Sequence, residues 1–402
     1  MCNGHHEDVV IVSACRTPIG KFGGSLKDLR AYQLAGIAME EAIKRAGITK
    51  DMIDEVIAGD CLQGIDEANT ARTAALSIGI PQEIPAYTIQ KQCTSSMQAL
   101  ASAKSQILLG DSEIVLVVGT ESMSNAHYIL KTARWGQRLM HGEMTDALWE
   151  LLHAGSRLLP GEPYIMGETA ERLAEEFSIS RQEQDEVALR SHNNAEAAIK
   201  AGKFKDEIVP VVIKGKKGDK IVDTDEHPRL GLTMDDLSIL KPSFRKNGTV
   251  TAGNSSGLND GACAAVVMSR SKAEELGIKP MARVLDHTSA GVRPDLMGYG
   301  PVPATRKLLE KTGLSVDDIG LFEVNEAFAV VYACFEKNLG NKREKANVNG
   351  SGVGLGHPVG CTGLRLVISL MYEMRRRNER YGIATLCGGG GLGMATLIEL
   401  EK

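Results

Sequence analysis

At 402 residues the chain exceeds the roughly 250–300 at which a single hydrophobic core stops growing, so at least two packed units are expected. Its 43% hydrophobic and 24% charged residues are ordinary for a globular protein, and a net charge of −5 with no basic, aromatic-interleaved stretch argues against a nucleic-acid partner. No apolar run reaches the ~20 residues of a membrane span, and the eight scattered cysteines lack metal-type pairing, so they read as free thiols of a cytoplasmic protein that holds no metal.

Along the chain, the polar residues 1–8 run straight into the strand-like 9–12, without the pattern of a secretion signal. A helical period at 33–46 follows. Cys93 and Thr94 then open a helix-like stretch to Leu109, ahead of an apolar strand at 114–118 and Gly119. Between 123 and 246 the texture changes to helical stretches rich in Glu, Arg and Ala, among them 168–177, and then to a polar segment with Gly215, Gly218, Pro228 and Gly231. This reads as a loop domain inserted over a site, with the lysines of 214–220 on a solvated turn. A strand at 264–268 closes the first unit and a new one begins near 273–280.

There Cys361 and Thr362 open a second helix-like stretch to Met374, followed by a strand at 383–386 and Cys387. The interval from Cys93 to Gly119 equals that from Cys361 to Cys387. We read this as an internal duplication, and expect an α/β protein of two similar halves, 8–270 and 273–402, with an insertion at about 123–246.

Four constellations carry chemistry. Cys93 sits at the mouth of a helix, where the positive end of the helix dipole favours thiolate. His357 lies in a glycine-rich run, 349–360, in a tight turn ahead of a helix, where an imidazole can accept a proton from a cysteine. That run lacks the Lys-Ser/Thr ending of a Walker loop. Cys387 stands at a strand end before four consecutive glycines, where a proton-transfer group and oxyanion-hole N–H donors occur together. Asn325, in the run Glu323 to Phe328, can hold a water or donate to a reacting carbonyl. Taken singly, each has a plainer reading: a buried structural cysteine, a glycine turn joining two strands, a helix N-cap at Asn325.

In this order the four motifs resemble those of the thiolase family, and the likeness extends to 16–24 and 249–261, hence over nearly the whole chain. The resemblance implies a five-layered α-β-α-β-α fold of two similar halves, with the inserted loop domain binding coenzyme A. It implies Cys93 as the acyl-accepting nucleophile, His357 as its activating base, and Cys387 as the acid/base acting on the acetyl methyl group. Asn325, through a held water, and His357 would form one oxyanion hole; the N–H groups of Cys93 and Gly389 would form the other. Arg229, Met166, Ala252, Ser256 and Phe328 would line the coenzyme A site.

The activity implied is reversible condensation and thiolysis of acyl-CoA, with coenzyme A as substrate and no tightly bound cofactor. Acetyl-CoA C-acetyltransferase leads, ahead of a broader-chain 3-ketoacyl-CoA thiolase of fatty acid metabolism and a lipid-binding homologue without catalysis. A homodimer or homotetramer is expected. Three positions depart from the family's commonest pattern: Gln90 in place of Asn, Thr94 in place of Ser or Ala, and Ile165 in place of a His. Residues 140–163, with Trp149, Leu151, Leu152, Leu158 and Leu159, are expected to form an apolar wall of the acyl pocket.

Overall fold

The computed structural model describes residues 7–139, 141–216 and 218–401; most of the polar start, Met140 at the head of the apolar segment, Lys217 of the lysine turn and the final Lys402 lie outside them. Its centre is a ten-stranded mixed sheet. Strands such as Val9–Arg16, Ile114–Ser122, Asn259–Ser269 and Tyr381–Gly388 are largely apolar runs buried on both faces. In Ile114–Ser122, for example, Ile114, Leu116 and Val118 enter one core while Val115 and Val117 enter another.

The strand order reveals two copies of one pattern. In the first, Ala86–Ile89 and Glu55–Gly59 run parallel to one another and to Ile114–Ser122. Ile114–Ser122 pairs antiparallel with Asn259–Ser269, which pairs antiparallel with Val9–Arg16. In the second, Leu321–Val324 lies parallel to Tyr381–Gly388, which pairs antiparallel with Leu392–Leu400, and that strand with Ala282–Gly291. Even the outermost parallel strand has a counterpart, a single bridge between Phe322 and Ala346. The copies meet through their equivalent strands, at the pairs Val10–Arg283 and Ile11–Ala282.

Helices complete five layers. Ala31–Ala46 and Thr70–Ser77 cover the outer face of the first copy. Pro301–Thr312 and Ala329–Leu339 cover that of the second. Ser95–Leu109 and Val359–Arg377 fill the shared central core. These two are the helices expected from the cysteine-threonine pairs, and they are joined where Ser96 Oγ donates to the Cys361 carbonyl (3.0 Å) and accepts from Leu364 N–H (2.9 Å). The second helix starts earlier than expected: Pro358 caps it, so Cys361 lies inside the first turn, whereas Cys93 precedes the cap at Thr94.

Where the second copy turns through residues 389–391, the first leaves Ser122 and returns at Asn259. The excursion carries the helices Met166–Glu176 and Arg181–Lys200 and the hairpin Val211–Ile213/Lys220–Val222. It is tied to the scaffold by Arg16, a fully buried cation whose guanidinium donates to Glu207 (2.6 Å) and to Asp225 (2.7 and 2.9 Å). Removing one member of such a buried pair typically costs about 3–5 kcal/mol, because the other charge is left unmatched.

Candidate active site

The nucleophile loop is made by a strained turn. After Ala86–Ile89 the backbone reaches Gln92, which holds a φ of +52°, a left-handed conformation that non-glycine residues rarely adopt. The turn is held by Thr94 N–H to the Lys91 carbonyl (3.2 Å), Lys91 N–H to Ser95 Oγ (2.8 Å) and the Cys61 thiol to the Gln92 carbonyl (3.1 Å). Cys93 emerges from it half-buried, into a cavity of about 170 Å³.

His357, Cys387, Gly389, Met166, Ser256 and Phe328 line the same cavity. Residues from distant parts of the sequence therefore face one space. Cys387 stands one residue before the end of its strand, in the cavity wall, with none of its surface exposed. Asn325 stands behind His357, its Nδ2 3.4 Å from the imidazole Nε2. It is not a helix N-cap, since the following helix is capped by Phe328, and its Oδ1 is buried without a hydrogen-bond partner. Arg229 and Ala252 sit outside the cavity: both are exposed and lie against one another, Arg229 donating to the Ala252 carbonyl at 3.4 Å.

The imidazole tautomer follows from its neighbours. Thr362 Oγ1 spends its one proton on the Pro358 carbonyl (2.8 Å) and lies 2.6 Å from His357 Nδ1. Nδ1 must then carry the hydrogen and donate it, which leaves Nε2 bare. The backbone N–H of His357 donates to Asn259 Oδ1 (2.9 Å), fixing the loop. Burial, aided by the Arg365 charge, pushes the His357 pKa down to about 3, so the ring is neutral across the physiological range.

Burial also decides the state of the sulfurs. It pushes the Cys93 thiol up to about 11, although the N–H groups of Gly389 and of Cys93 itself pull the other way. The helix-mouth argument for a resting thiolate is thus outweighed: desolvation wins, and Cys93 awaits a base. The Cys387 thiol is raised too, by burial and then by Cys93.

The apolar segment at 140–163 corrects another expectation. Of its described residues only Leu152 reaches the cavity; Leu151 packs against the cluster of Met123, Leu148 and Val359. Trp149, Leu158 and Leu159 point to solvent, Leu158 with 89% of its surface exposed. The helix Ala147–His153 presents one edge inward, and Ala154 at its end covers Gly389, where an added Cβ would lie 2.8 Å from the Ala154 Cβ. Of the three unusual positions, Ile165 lines the cavity, Gln90 is exposed, and buried Thr94 donates to the Lys91 carbonyl (2.7 Å). Met123, Phe244 and Met297 add to the apolar wall. Sequence reasoning missed these three, for no local pattern separates them from core.

Family models for the thiolase N-terminal and C-terminal domains match residues 9–271 and 278–400. The chain belongs to the thiolase family. It is 50% identical to the acetyl-CoA acetyltransferase of Syntrophomonas wolfei over 98% of this chain and 99% of that protein. Among solved structures, the Bacillus anthracis acetyl-CoA acetyltransferase superposes with a TM-score of 0.95 at 53% identity, covering 98% of this thiolase and 99% of the other. Human mitochondrial 3-ketoacyl-CoA thiolase gives 0.94 at 40% identity, over 99% and 100% of the two chains.

Proposed function

We propose that this thiolase is an acetyl-CoA C-acetyltransferase, joining two acetyl-CoA into acetoacetyl-CoA and coenzyme A, and the reverse, through a thioester on Cys93. The observation that carries the reading is the convergence of Cys93, Cys387 and a neutral His357 on one cavity. The names of the Syntrophomonas and Bacillus relatives agree with it.

The chemistry balances with these groups alone. Cys93 sulfur attacks the acetyl thioester as its proton passes to the bare Nε2 of His357, which thereby becomes a donor to the oxyanion beside Asn325. The carbon–sulfur bond to coenzyme A breaks and the departing thiolate takes the proton of Cys387. Cys387, now thiolate, removes a proton from the methyl group of a second acetyl-CoA. The enolate carbon attacks the acyl group, and Cys93 leaves to recover its proton from His357. One thioester replaces another in the first half, so no outside energy source is required.

Met166, Ser256 and Phe328 support coenzyme A in the cavity, and Arg229 and Ala252 its outer portion, with the inserted segment 123–246 contributing Met166 and Arg229. We place the protein in the cytoplasm as a homodimer or homotetramer. None of the described helices is long and apolar enough to cross a membrane.

A second reading, a 3-ketoacyl-CoA thiolase of broader chain length serving fatty acid metabolism, is favoured by the apolar wall of Met123, Leu152, Ile165 and Phe244. Thiolysis of a 3-ketoacyl-CoA series decides: the acetyltransferase has its highest kcat/KM on acetoacetyl-CoA, and negligible turnover of that substrate rejects it. Gly389→Ala tests the oxyanion donor. Its new methyl meets Ala154 and displaces the N–H aimed at Cys93. We expect kcat to fall about 100-fold, the loss typical of one such donor, with substrate binding largely retained.

A further inference from the structure

Beneath the nucleophile loop lie two carboxyl groups that the chemistry above leaves unused. Asp60 follows Glu55–Gly59 and Glu121 belongs to Ile114–Ser122; both are fully buried. Glu121 Oε2 accepts from the N–H groups of Gly360 (2.8 Å) and Cys61 (3.1 Å), and its Oε1 from Leu62 N–H (3.0 Å). Asp60 Oδ2 accepts from the Thr70 hydroxyl (2.6 Å), whereas Oδ1 has no donor facing it.

Two neighbouring buried carboxyls cannot both ionise. Three N–H donors stabilise a charge on Glu121. An oxygen without a donor marks Asp60 as the group that keeps its proton, which it can give to Glu121 as a hydrogen bond. Burial raises both carboxyls, but the Glu121 charge drives Asp60 well above the usual range, whereas the backbone N–H donors and Asp60 itself pull Glu121 back, in agreement.

The placement of Glu121 is what gives the pair a role. Gly360 opens the helix just after His357, in the second half of the molecule; Cys61, in the first half, donates its thiol to Gln92 beside Cys93. One carboxylate thus grips both reacting loops. The contact tolerates no side chain at Gly360, where a Cβ would lie 2.8 Å from Glu121 Oε2 and 2.7 Å from the Thr120 carbonyl.

We propose that Glu121, a carboxylate hydrogen-bonded by a protonated Asp60, is a positioning residue that sets His357 against Cys93. The inference rests on the reading of those two as base and nucleophile. Glu121→Gln replaces a lone pair with an N–H that opposes the backbone donors. It lowers kcat on the order of 100-fold, as a misplacement near 1 Å does, with KM little changed.

Beside that split of kcat from KM, a second readout is the pH midpoint of Cys93 alkylation by iodoacetamide. Cys61, Cys387, His357 and Glu121 surround that sulfur, and the Glu121 charge opposes its ionisation; the midpoint therefore falls in Glu121→Gln even as turnover is lost. Asp60→Asn keeps a donor for Glu121 and an acceptor for Thr70, and loses no more than about threefold, the scale of one neutral hydrogen bond. The reverse pattern, a tolerated Glu121→Gln and a damaging Asp60→Asn, overturns the assignment, as does an unmoved midpoint.

Should either variant not fold, Thr70→Val decides. Loss of its hydroxyl shifts a component of the protonated-carboxyl infrared band, and an unshifted band puts the proton elsewhere. Acetylation of wild-type Cys93, followed by intact mass, is the separate control: its absence sinks the parent reading while leaving the carboxyl assignment measurable.

Discussion

Cys387→Ala accumulates acetyl-Cys93 and makes no acetoacetyl-CoA. Acetyl transfer needs the Cys93 sulfur, the His357 base and oxyanion donors, and coenzyme A thiolate departs without a strong acid. Carbon–carbon bond formation needs a base at the methyl group, and no other titratable group of the lining is suited to it, because His357 already holds the Cys93 proton. Loss of a positioned acid/base group costs about 10²–10⁴-fold, and we expect the upper end because carbon acids ionise poorly. Intact mass reads the acetyl adduct, and exchange of methyl protons of acetyl-CoA into deuterated solvent reads the missing step. Exchange or condensation at the wild-type rate removes Cys387 from its role.

His357→Ala acts one step earlier and is expected to slow acetylation of Cys93 by about 10²–10⁴-fold at neutral pH. Its pH dependence separates the base from a merely structural residue. In the wild type the imidazole is neutral at every pH above about 3, so its titration puts no step in the rate near neutrality. Without it only pre-formed thiolate reacts. Because burial holds the Cys93 thiol up at about 11, the variant's rate climbs about tenfold per pH unit through the alkaline range. Stopped-flow acetylation across that range is the measurement, and a flat profile contradicts the assignment.

Much of this was legible in the sequence, for identifiable reasons. Runs such as 114–118 and 383–386 are apolar on both faces, which a buried strand imposes, and the repeated cysteine-threonine interval reflects a repeated sheet pattern. The motifs placed Cys93, His357, Cys387 and Gly389 on one cavity because each is bound to a local device: a helix mouth, a glycine turn, a strand end.

What the sequence withheld depends on which way a side chain points. Trp149, Leu152 and Leu158 are equally apolar in the text, yet only the middle one enters the cavity. Arg229 and Ala252, expected with Met166, Ser256 and Phe328 at one lining, instead lie against one another outside the cavity. The Asp60–Glu121 pair had one available signal, an acidic residue near the end of a strand that is otherwise almost wholly apolar or small. The resting state of Cys93 was missed because a dipole can be inferred from helix position, whereas desolvation requires the surrounding walls.

The buried clasp formed by Arg16 with Glu207 and Asp225 limits how substrate enters. A segment anchored through an enclosed cation cannot swing on a hinge without stranding that charge. We expect acyl-CoA to enter by small adjustments of side chains such as Leu152 and Phe244, which line the cavity. Amides around the clasp should then exchange with deuterated water only when the whole molecule opens.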